Sequence, residues 1–535
     1  MPAGFAILPT PVPTGPRSLP MTSGLLRSTG VVGSMTLVSR VLGFVRDVLQ
    51  AALFGAGAAM DAFFIAFRIP NLFRRLFAEG AFSQAFVPVL SETRRTQSAE
   101  EVRDLVGVVS GTLGGVLLVL TAACVIGAPL LIGLFAPGFS DTPEKFGQAV
   151  EMLRWTFPYL MFVSLVALAG GVLNAHGRFA APAFTPVWLN VCLIAAALWY
   201  APNVVSLAIA VFIAGVIQLL FLLPSLARIG MLARPRWGWS DPRVRRIMLL
   251  MLPIMFGSSV GQLSLLVDSI IASFLPRDGS VSWLWFADRL MEFPLGTFSI
   301  AIATVILPAL SRQADAAGAE GFSRTIDWAI RMVLLIGVPA AIGLFVLSGP
   351  LVATLFFHGQ FTAEDVRMTG WALQAYALGF LGFSLVKVLV PGYFARQDAR
   401  TPVRCGVIAL CCGMAMSISF ALVLLEMGFV APHVGIALAT GLGAWINALL
   451  LLRGLLRQRV YRPAPGWSRF AVRVGLANAA MCAWLFWQRG TMADWIGAGA
   501  AERAMDLAVL ILPAIALYFA VLLLLGWRPR ELSGA

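Results

Sequence analysis

Apolar runs of about 20 residues recur from one end of the chain to the other, broken by short clusters of arginine, glycine and proline. A helix rises about 1.5 Å per residue, so a run of that length crosses the ~30 Å hydrocarbon layer of a bilayer. The pattern predicts fourteen helices, at 29–55, 61–87, 104–135, 152–175, 184–201, 203–228, 247–275, 281–310, 324–347, 367–391, 404–425, 434–456, 468–488 and 504–526. The runs do not alternate with period two over ten-residue segments, which excludes a transmembrane barrel. The expected fold class is an all-α membrane protein with about 14 transmembrane helices.

Residues 1–26 hold six prolines and no apolar stretch long enough for a signal peptide, and read as a disordered leader, with Met21 an alternative start. Positive residues near helix ends are retained on the cytoplasmic side. The connections after the even-numbered helices carry them, as in Arg94, Arg95 and Arg103, then Arg234, Arg236, Arg243, Arg245 and Arg246, then Arg453, Arg457, Arg459 and Arg462. The other connections hold Lys145 among Asp141, Glu144 and Glu151, and Arg277 beside Asp278. Both termini are therefore expected in the cytoplasm.

The chain also repeats itself. Pro129-Leu130 and Leu134-Phe135-x-x-Gly138 recur as Pro350-Leu351 and Leu355-Phe356-x-x-Gly359, an offset of 221. At the same offset Ala66-Phe67-Arg68-Ile69 meets Ala287-Asp288-Arg289-Leu290, and at 220 Ala175 to Pro182 meets Ala395 to Pro402. Six spans is an even number, so the two halves share one orientation and are expected to form two pseudo-symmetric six-helix lobes about an axis along the membrane normal. The expected division is a first lobe at 27–228, a cytoplasmic linker at 229–246, a second lobe at 247–456, and a C-terminal helix pair with its tail at 457–535.

Composition then removes several functions. Of 535 residues 59% are apolar and 12% charged, about half the charge of a soluble domain. The net charge of +13 follows from the arginine asymmetry and calls for no nucleic-acid partner. The two lysines, Lys145 and Lys387, lie in no G-x-x-x-x-G-K-[ST] loop, which excludes a P-loop motor. The three histidines stand apart and the six cysteines sit in apolar runs, so neither a metal centre nor a disulfide framework is expected. Gly257-Ser-Ser-Val-Gly261 fits a nucleophile elbow only on paper; inside helix 7 it reads as a small-residue packing face. The chain is therefore not expected to be an enzyme.

The informative residues violate the apolar pattern. Helix 1 contains Arg40, Arg46 and Asp47; helix 2 contains Asp61, Arg68, Arg74, Arg75 and Glu79; helix 8 contains Asp288, Arg289 and Glu292. An arginine facing lipid at mid-span costs about 2.5–3.5 kcal/mol, so these side chains must face protein or a wet cavity. Counted from the outer ends, Arg46 lies about 13 Å deep, Arg74 about 20 Å and Arg289 about 12 Å, depths at which the three can converge. Such a cavity is cationic, and the arginine fork matches phosphate oxygens in pairs. The competing reading pairs each arginine with a local acid. Adjacent helix residues point about 100° apart, which counts against Arg46–Asp47 and Asp288–Arg289 as pairs.

These residues fall in motifs. Ser39-Arg-Val-Leu-Gly-Phe-Val-Arg-Asp47, Asp61-Ala-Phe-Phe, Pro70-Asn-Leu-Phe-Arg-Arg75, Phe77-Ala-Glu-Gly-Ala-Phe-Ser-Gln-Ala-Phe-Val-Pro88 and Ala287-Asp-Arg-Leu-Met-Glu-Phe-Pro294 closely resemble the MurJ (MviN) lipid II flippases, from about Leu25 to the C-terminus. That family belongs to the multidrug/oligosaccharidyl-lipid/polysaccharide exporter superfamily, with two six-helix lobes and two additional helices. The resemblance implies transport of the undecaprenyl-diphosphate-linked peptidoglycan precursor, lipid II, to the outer leaflet of the bacterial inner membrane by alternating access. It carries the family's cavity arginines onto Arg40, Arg46, Arg74 and Arg289, of which the last three match those taken to hold the diphosphate. Asp61 matches a functionally important acid, and Ser39 and Asn71 lie in matching motifs. Helices 13 and 14 resemble the pair that forms a groove for the lipid tail.

The resemblance implies no cofactor. Some relatives bind sodium through acids on helices 7 and 11; here helix 7 offers Asp268 but 404–425 has no acid or amide, and an Asp268–Lys387 ion pair is an equal expectation. Monovalent cation coupling and membrane potential both stay open as driving forces. The expected partners are lipid II, membrane lipids and cell-wall synthesis proteins. Three other functions stay open on the residues alone: a flippase for another polyprenyl-diphosphate oligosaccharide, a drug or cation antiporter of the same superfamily, and a scaffold that has lost transport.

Overall fold

The structure is a computed structural model that describes residues 22–75, 82–315 and 319–528. Among them no strand occurs and twenty α-helices follow one another. The first half comprises α1 (Thr22–Phe54), α2 (Ala58–Arg74), α3 (Ser83–Thr96), α4 (Ala99–Ile126), α5 (Ala128–Phe135), α6 (Pro143–Thr156), α7 (Tyr159–Ala175), α8 (Ala180–Tyr200) and α9 (Val205–Arg228). The second comprises α10 (Pro242–Ser273), α11 (Ser280–Pro294), α12 (Ile300–Asp315), α13 (Ala319–Val346), α14 (Ser348–Phe356), α15 (Ala363–Phe394), α16 (Arg400–Glu426) and α17 (His433–Arg457). Then come α18 (Trp467–Gln488), α19 (Met492–Gly497) and α20 (Ala500–Leu524).

Ten helices of the described residues are long and apolar enough to cross a membrane. The charged α1, and the shorter charged helices α2 and α11, are not in that group. Rejoining α2 with α3, α6 with α7 and α11 with α12 gives a count compatible with fourteen crossings.

The differences from the expected helices have local causes. The helix expected over 104–135 breaks at Gly127, where Pro129 supplies no backbone donor, so α5 is separate. The helix expected over 152–175 begins earlier, at Pro143, and is interrupted at Phe157–Pro158. The one expected over 281–310 passes after Pro294 into a π-helical turn, Leu295–Ser299. The linker is shorter than 229–246, because Asp241 caps α10 by accepting from Arg243 N at 2.8 Å and Pro242 occupies the first helical position. Hydrogen bonds from Arg243 hold the Asp241 carboxyl below its usual range. Of the expected leader, residues 1–21 lie outside the described residues, and α1 already begins at Thr22.

The repeat is visible in the helices themselves. The short α5 and α14 occupy the same place in each half, as do α2 and α11. After α7 the chain turns through left-handed Gly177 (φ 73°), and 220 positions later, after α15, through left-handed Gln397 (φ 58°). Within the first half α1 packs on α8 and α2 on α6; within the second α15 packs on α13 and α17. The last helices join the second half: α18 packs on α13, and Tyr518 of α20 donates its hydroxyl to Leu335 O at 2.7 Å.

Between the halves the linker lies along α4. Gly107, Gly111 and Gly115 form a stripe against which residues 233–237 run, and Arg236 N donates to Gly107 O at 2.9 Å. A Cβ at Gly111 would fall 2.3 Å from Arg236 N, so only glycine admits the linker there.

Candidate functional site

The halves meet through α2 and α11, and three positions along these helices are repeat mates 221 residues apart. At one end Asp61, 1% exposed, accepts from Ser282 N (2.8 Å) and Ser282 Oγ (2.7 Å) on one oxygen. Its other oxygen accepts from Gly279 N (2.8 Å) and Lys145 Nζ (3.0 Å), and Lys145 reaches on to Asp278 at 2.8 Å. One turn along, Phe64 stacks on Trp285 with ring centres 4.6 Å apart. A further turn along, Arg68 and Arg289 both approach the Trp285 ring, their guanidinium carbons 5.3 and 4.7 Å from its centre.

In a two-fold arrangement a residue that touches its own mate lies beside the axis, and an off-axis contact occurs twice with its members exchanged. The exchange is present as well. A Cβ on Gly138 would lie 2.2 Å from Ser273 O, and one on Gly359 would lie 2.3 Å from Ala52 O, each residue being 221 positions from its counterpart. The pseudo-two-fold axis therefore runs between α2 and α11, through Asp61/Ser282 and Phe64/Trp285 toward Arg68/Arg289.

Around that last pair opens a cavity of about 350 Å³. Its walls carry four cations, Arg68, Arg75, Arg289 and Lys387, against two acids, Asp288 and Glu292, with Asn71, Ser269, Trp285, Tyr376 and Thr440 between them. The excess of two positive charges makes it a place for an anion.

Of the site residues singled out from the sequence, Asn71, Arg289 and Lys387 line this cavity. Arg289 lines it, donating to Glu292 at 2.8 Å and lying 3.7 Å from Asp47. Arg46 is buried, with Nε and Nη2 on Asp47 Oδ1 at 2.9 and 2.6 Å and Nη1 on Asn190 Oδ1 at 3.0 Å. The expectation that Arg46 and Asp47 make poor partners is thus corrected: the 100° separation fixes where the Cβ atoms point, and the long arginine side chain bends back across it. Asp288–Arg289 forms no such pair among the described residues. The carboxylate of Asp47 consequently stands between Arg46 of its own helix and Arg289 of the other half.

Arg74 is not in the wall of this cavity. It is half-buried and donates through Nε to Asn71 Oδ1 at 2.8 Å; Asn71 lines the cavity, and so does the next residue, Arg75. Arg40 is exposed and lies against the π-turn, where a Cβ on Gly296 would come within 2.7 Å of its Nη1. Ser39 contributes its carbonyl, which accepts from Asn190 Nδ2 at 3.0 Å. Glu79 lies outside the described residues.

Asp268 is buried and accepts from Thr440 Oγ1 at 2.9 Å and Ser417 Oγ at 3.3 Å. The expected ion pair with Lys387 is absent among the described residues, because these two hydroxyls already serve the carboxylate while Lys387 is exposed in the cavity wall. Among the described residues no group of three or more His, Cys, Asp or Glu side chains could hold a metal.

Sequence reasoning named Arg68 only as a charge in helix 2 and did not carry it to the site. The signal was there in the repeat, which sets Arg68 opposite Arg289. Trp285 and Asn190 gave no comparable signal, since an aromatic or an amide inside a span marks nothing until its neighbours are known.

Residues 50–501 match the family model described as lipid II flippase MurJ. The chain belongs to the MurJ lipid II flippase family. It is 48% identical over 522 residues to the probable lipid II flippase MurJ of Vibrio cholerae serotype O1, covering 96% of this chain and 98% of that protein. A solved structure titled as lipid II flippase MurJ in an inward closed conformation aligns with a TM-score of 0.74 at 25% identity, over 92% of this chain and 97% of that one. An inward-facing multidrug resistance MATE family transporter of the MOP superfamily aligns with a TM-score of 0.63 at 15% identity, over 80% and 97%, and shares the fold. The protein is thus a multi-pass, all-helical membrane protein that shares its fold with that MurJ structure.

Proposed function

We propose that the protein is a lipid II flippase of the bacterial inner membrane, moving the undecaprenyl-diphosphate-linked muropeptide from the inner to the outer leaflet by alternating access and without chemical turnover. The single observation that carries this reading to the site is a cavity with four cations against two acids, placed on the axis between the lobes. A diphosphate is the anion whose paired oxygens suit several guanidinium forks at once. Arg289, Arg46 behind Asp47, and Arg74 with Asn71 are its proposed holders, with Arg40 and Ser39 at the approach.

With both termini in the cytoplasm, the Asp61 cluster is the closed outer end and the cavity lies about 10 Å inward of it, seven residues along α2. The headgroup would enter from the inner side while Asp61 holds the outer end shut. The C55 tail cannot enter a cationic cavity cheaply and would stay in lipid, along the apolar faces of α18 and α20, where Leu476, Phe486, Leu512 and Phe519 are exposed. Energy would come from the membrane potential, a monovalent cation gradient or onward consumption of the substrate.

The test is leaflet-resolved measurement of lipid II in vesicles containing only this protein, with and without an imposed potential. Movement of lipid II is expected. If the precursor stays in its original leaflet under both conditions, the reading is wrong.

A further inference from the structure

The exchange symmetry of the lobe contacts extends to the charges. Asp47 and Asp268 are repeat mates, 221 positions apart, and so are Arg68 and Arg289. Arg289, from the second lobe, approaches Asp47 of the first at 3.7 Å. Next to the exchanged position Arg68, from the first lobe, donates through Nη1 to Ser269 Oγ of the second, one residue past Asp268, the mate of Asp47. The two guanidinium groups thus cross the lobe boundary in opposite directions. Both lie over Trp285, which limits their separation to about 10 Å, and both line the cavity.

We infer that Arg68, the repeat mate of Arg289, forms with Ser269 a second anion subsite of the cavity, and that it takes the second phosphate of the lipid diphosphate. This rests on the flippase reading above.

The chemistry favours two subsites over one. A diphosphate carries oxygens on two phosphorus atoms, and one planar fork engages one phosphate well. With Arg289 on one phosphate, Arg68 is the repeat-related fork that reaches the same ring from the other lobe. Arg68 must then exchange its bond to Ser269 for a phosphate oxygen, as Arg289 exchanges its contact with Asp47. Binding a single dianionic group would loosen one cross-lobe contact, whereas binding the diphosphate loosens both. The arrangement therefore links recognition of the second phosphate to release of the lobes from each other. A monophosphate lipid would fill one subsite and leave one contact in place.

The experiment compares undecaprenyl diphosphate with undecaprenyl monophosphate, binding each to the purified full chain. The wild type is expected to prefer the diphosphate by on the order of tenfold or more, the value of one charge-assisted contact. Arg68→Gln is expected to bring that ratio below about threefold while monophosphate binding stays within about twofold. Arg68→Lys, which keeps the charge but loses the planar fork, should fall between them. Ser269→Ala removes the competing cross-lobe acceptor and is expected to hold the diphosphate at least as tightly as wild type, a direction that a purely structural role for the Arg68–Ser269 contact would reverse. Full retention of the diphosphate preference in Arg68→Gln and Arg68→Lys would overturn the inference. A wild type that binds neither lipid would instead overturn the flippase reading, so the two failures are separable.

Discussion

Replacing Asp61 by asparagine should unlock one end of the lobe interface while leaving the fold intact. The carboxylate is 1% exposed and accepts four hydrogen bonds, two from Ser282, one from Gly279 N and one from Lys145 Nζ. Asparagine keeps one acceptor for Ser282 but turns an NH2 group toward Gly279 N and the Lys145 ammonium, which are both donors. Lys145 would retain only Asp278, whose side chain is 65% exposed. Breaking a buried pair in this way costs about 3–5 kcal/mol, and an unpaired backbone donor about 1–3 more. Taking only the lower figure, of about 3 kcal/mol, the closed end should open some two decades more often. Ser280 sits beside the cluster and is 2% exposed, so a single cysteine there, in a background without the native cysteines, reports on opening. Its labelling by a membrane-impermeant maleimide should be slow with Asp61 in place and about a hundredfold faster in Asp61→Asn, with lipid II transport lost and thermal unfolding little changed. Equal labelling rates in the two proteins would refute the claim that Asp61 holds this end shut.

Other consequences are open to measurement. Arg46→Ala, Arg74→Ala and Arg289→Ala should abolish growth support in a host depleted of its own flippase, lysine at the same positions should restore it partly, and Arg457→Ala, exposed in the last turn of α17, should behave as wild type. Gly111→Leu places side-chain atoms where the linker backbone runs 2.3 Å from the Cβ position, so the linker must lift and the melting temperature of the detergent-solubilised protein should drop by an amount equivalent to about 1–3 kcal/mol. Gln397→Gly relieves a left-handed residue at the end of α15 and should stabilise slightly, by about 0.5 kcal/mol, as its repeat counterpart Gly177 already does; a loss of stability would show that the Gln397 side chain matters more than its backbone. Asp241 has a folded-state pKa below its usual 3.8, so its cap on α10 is fully present at neutral pH and is lost as pH falls through that lowered value; Asp241→Ala should cost about 1 kcal/mol at pH 7 and progressively less in acid, checked by thermal unfolding across pH.

Membrane class, helical fold and duplication were all legible in the chain itself. Burial of apolar residues is additive along a run and depends on residue type alone, so a window of twenty residues suffices to find a span. Duplication needs only a comparison of the chain with itself, and it already set Arg68 against Arg289 and Phe135 against Phe356. What the sequence could not decide was which partner each charge takes. Arg46 folds back onto Asp47, Arg74 stays with Asn71, Arg68 reaches the cavity, and Asp268 is served by Ser417 and Thr440 where Lys387 was expected. Ion pairs and hydrogen bonds form within about 3–4 Å between groups that arrive from separate helices on side chains several ångströms long. Helix periodicity fixes the direction of a Cβ, and the tip of an arginine can end on either side of it, so only the packed arrangement of α1, α2, α10 and α11 chooses.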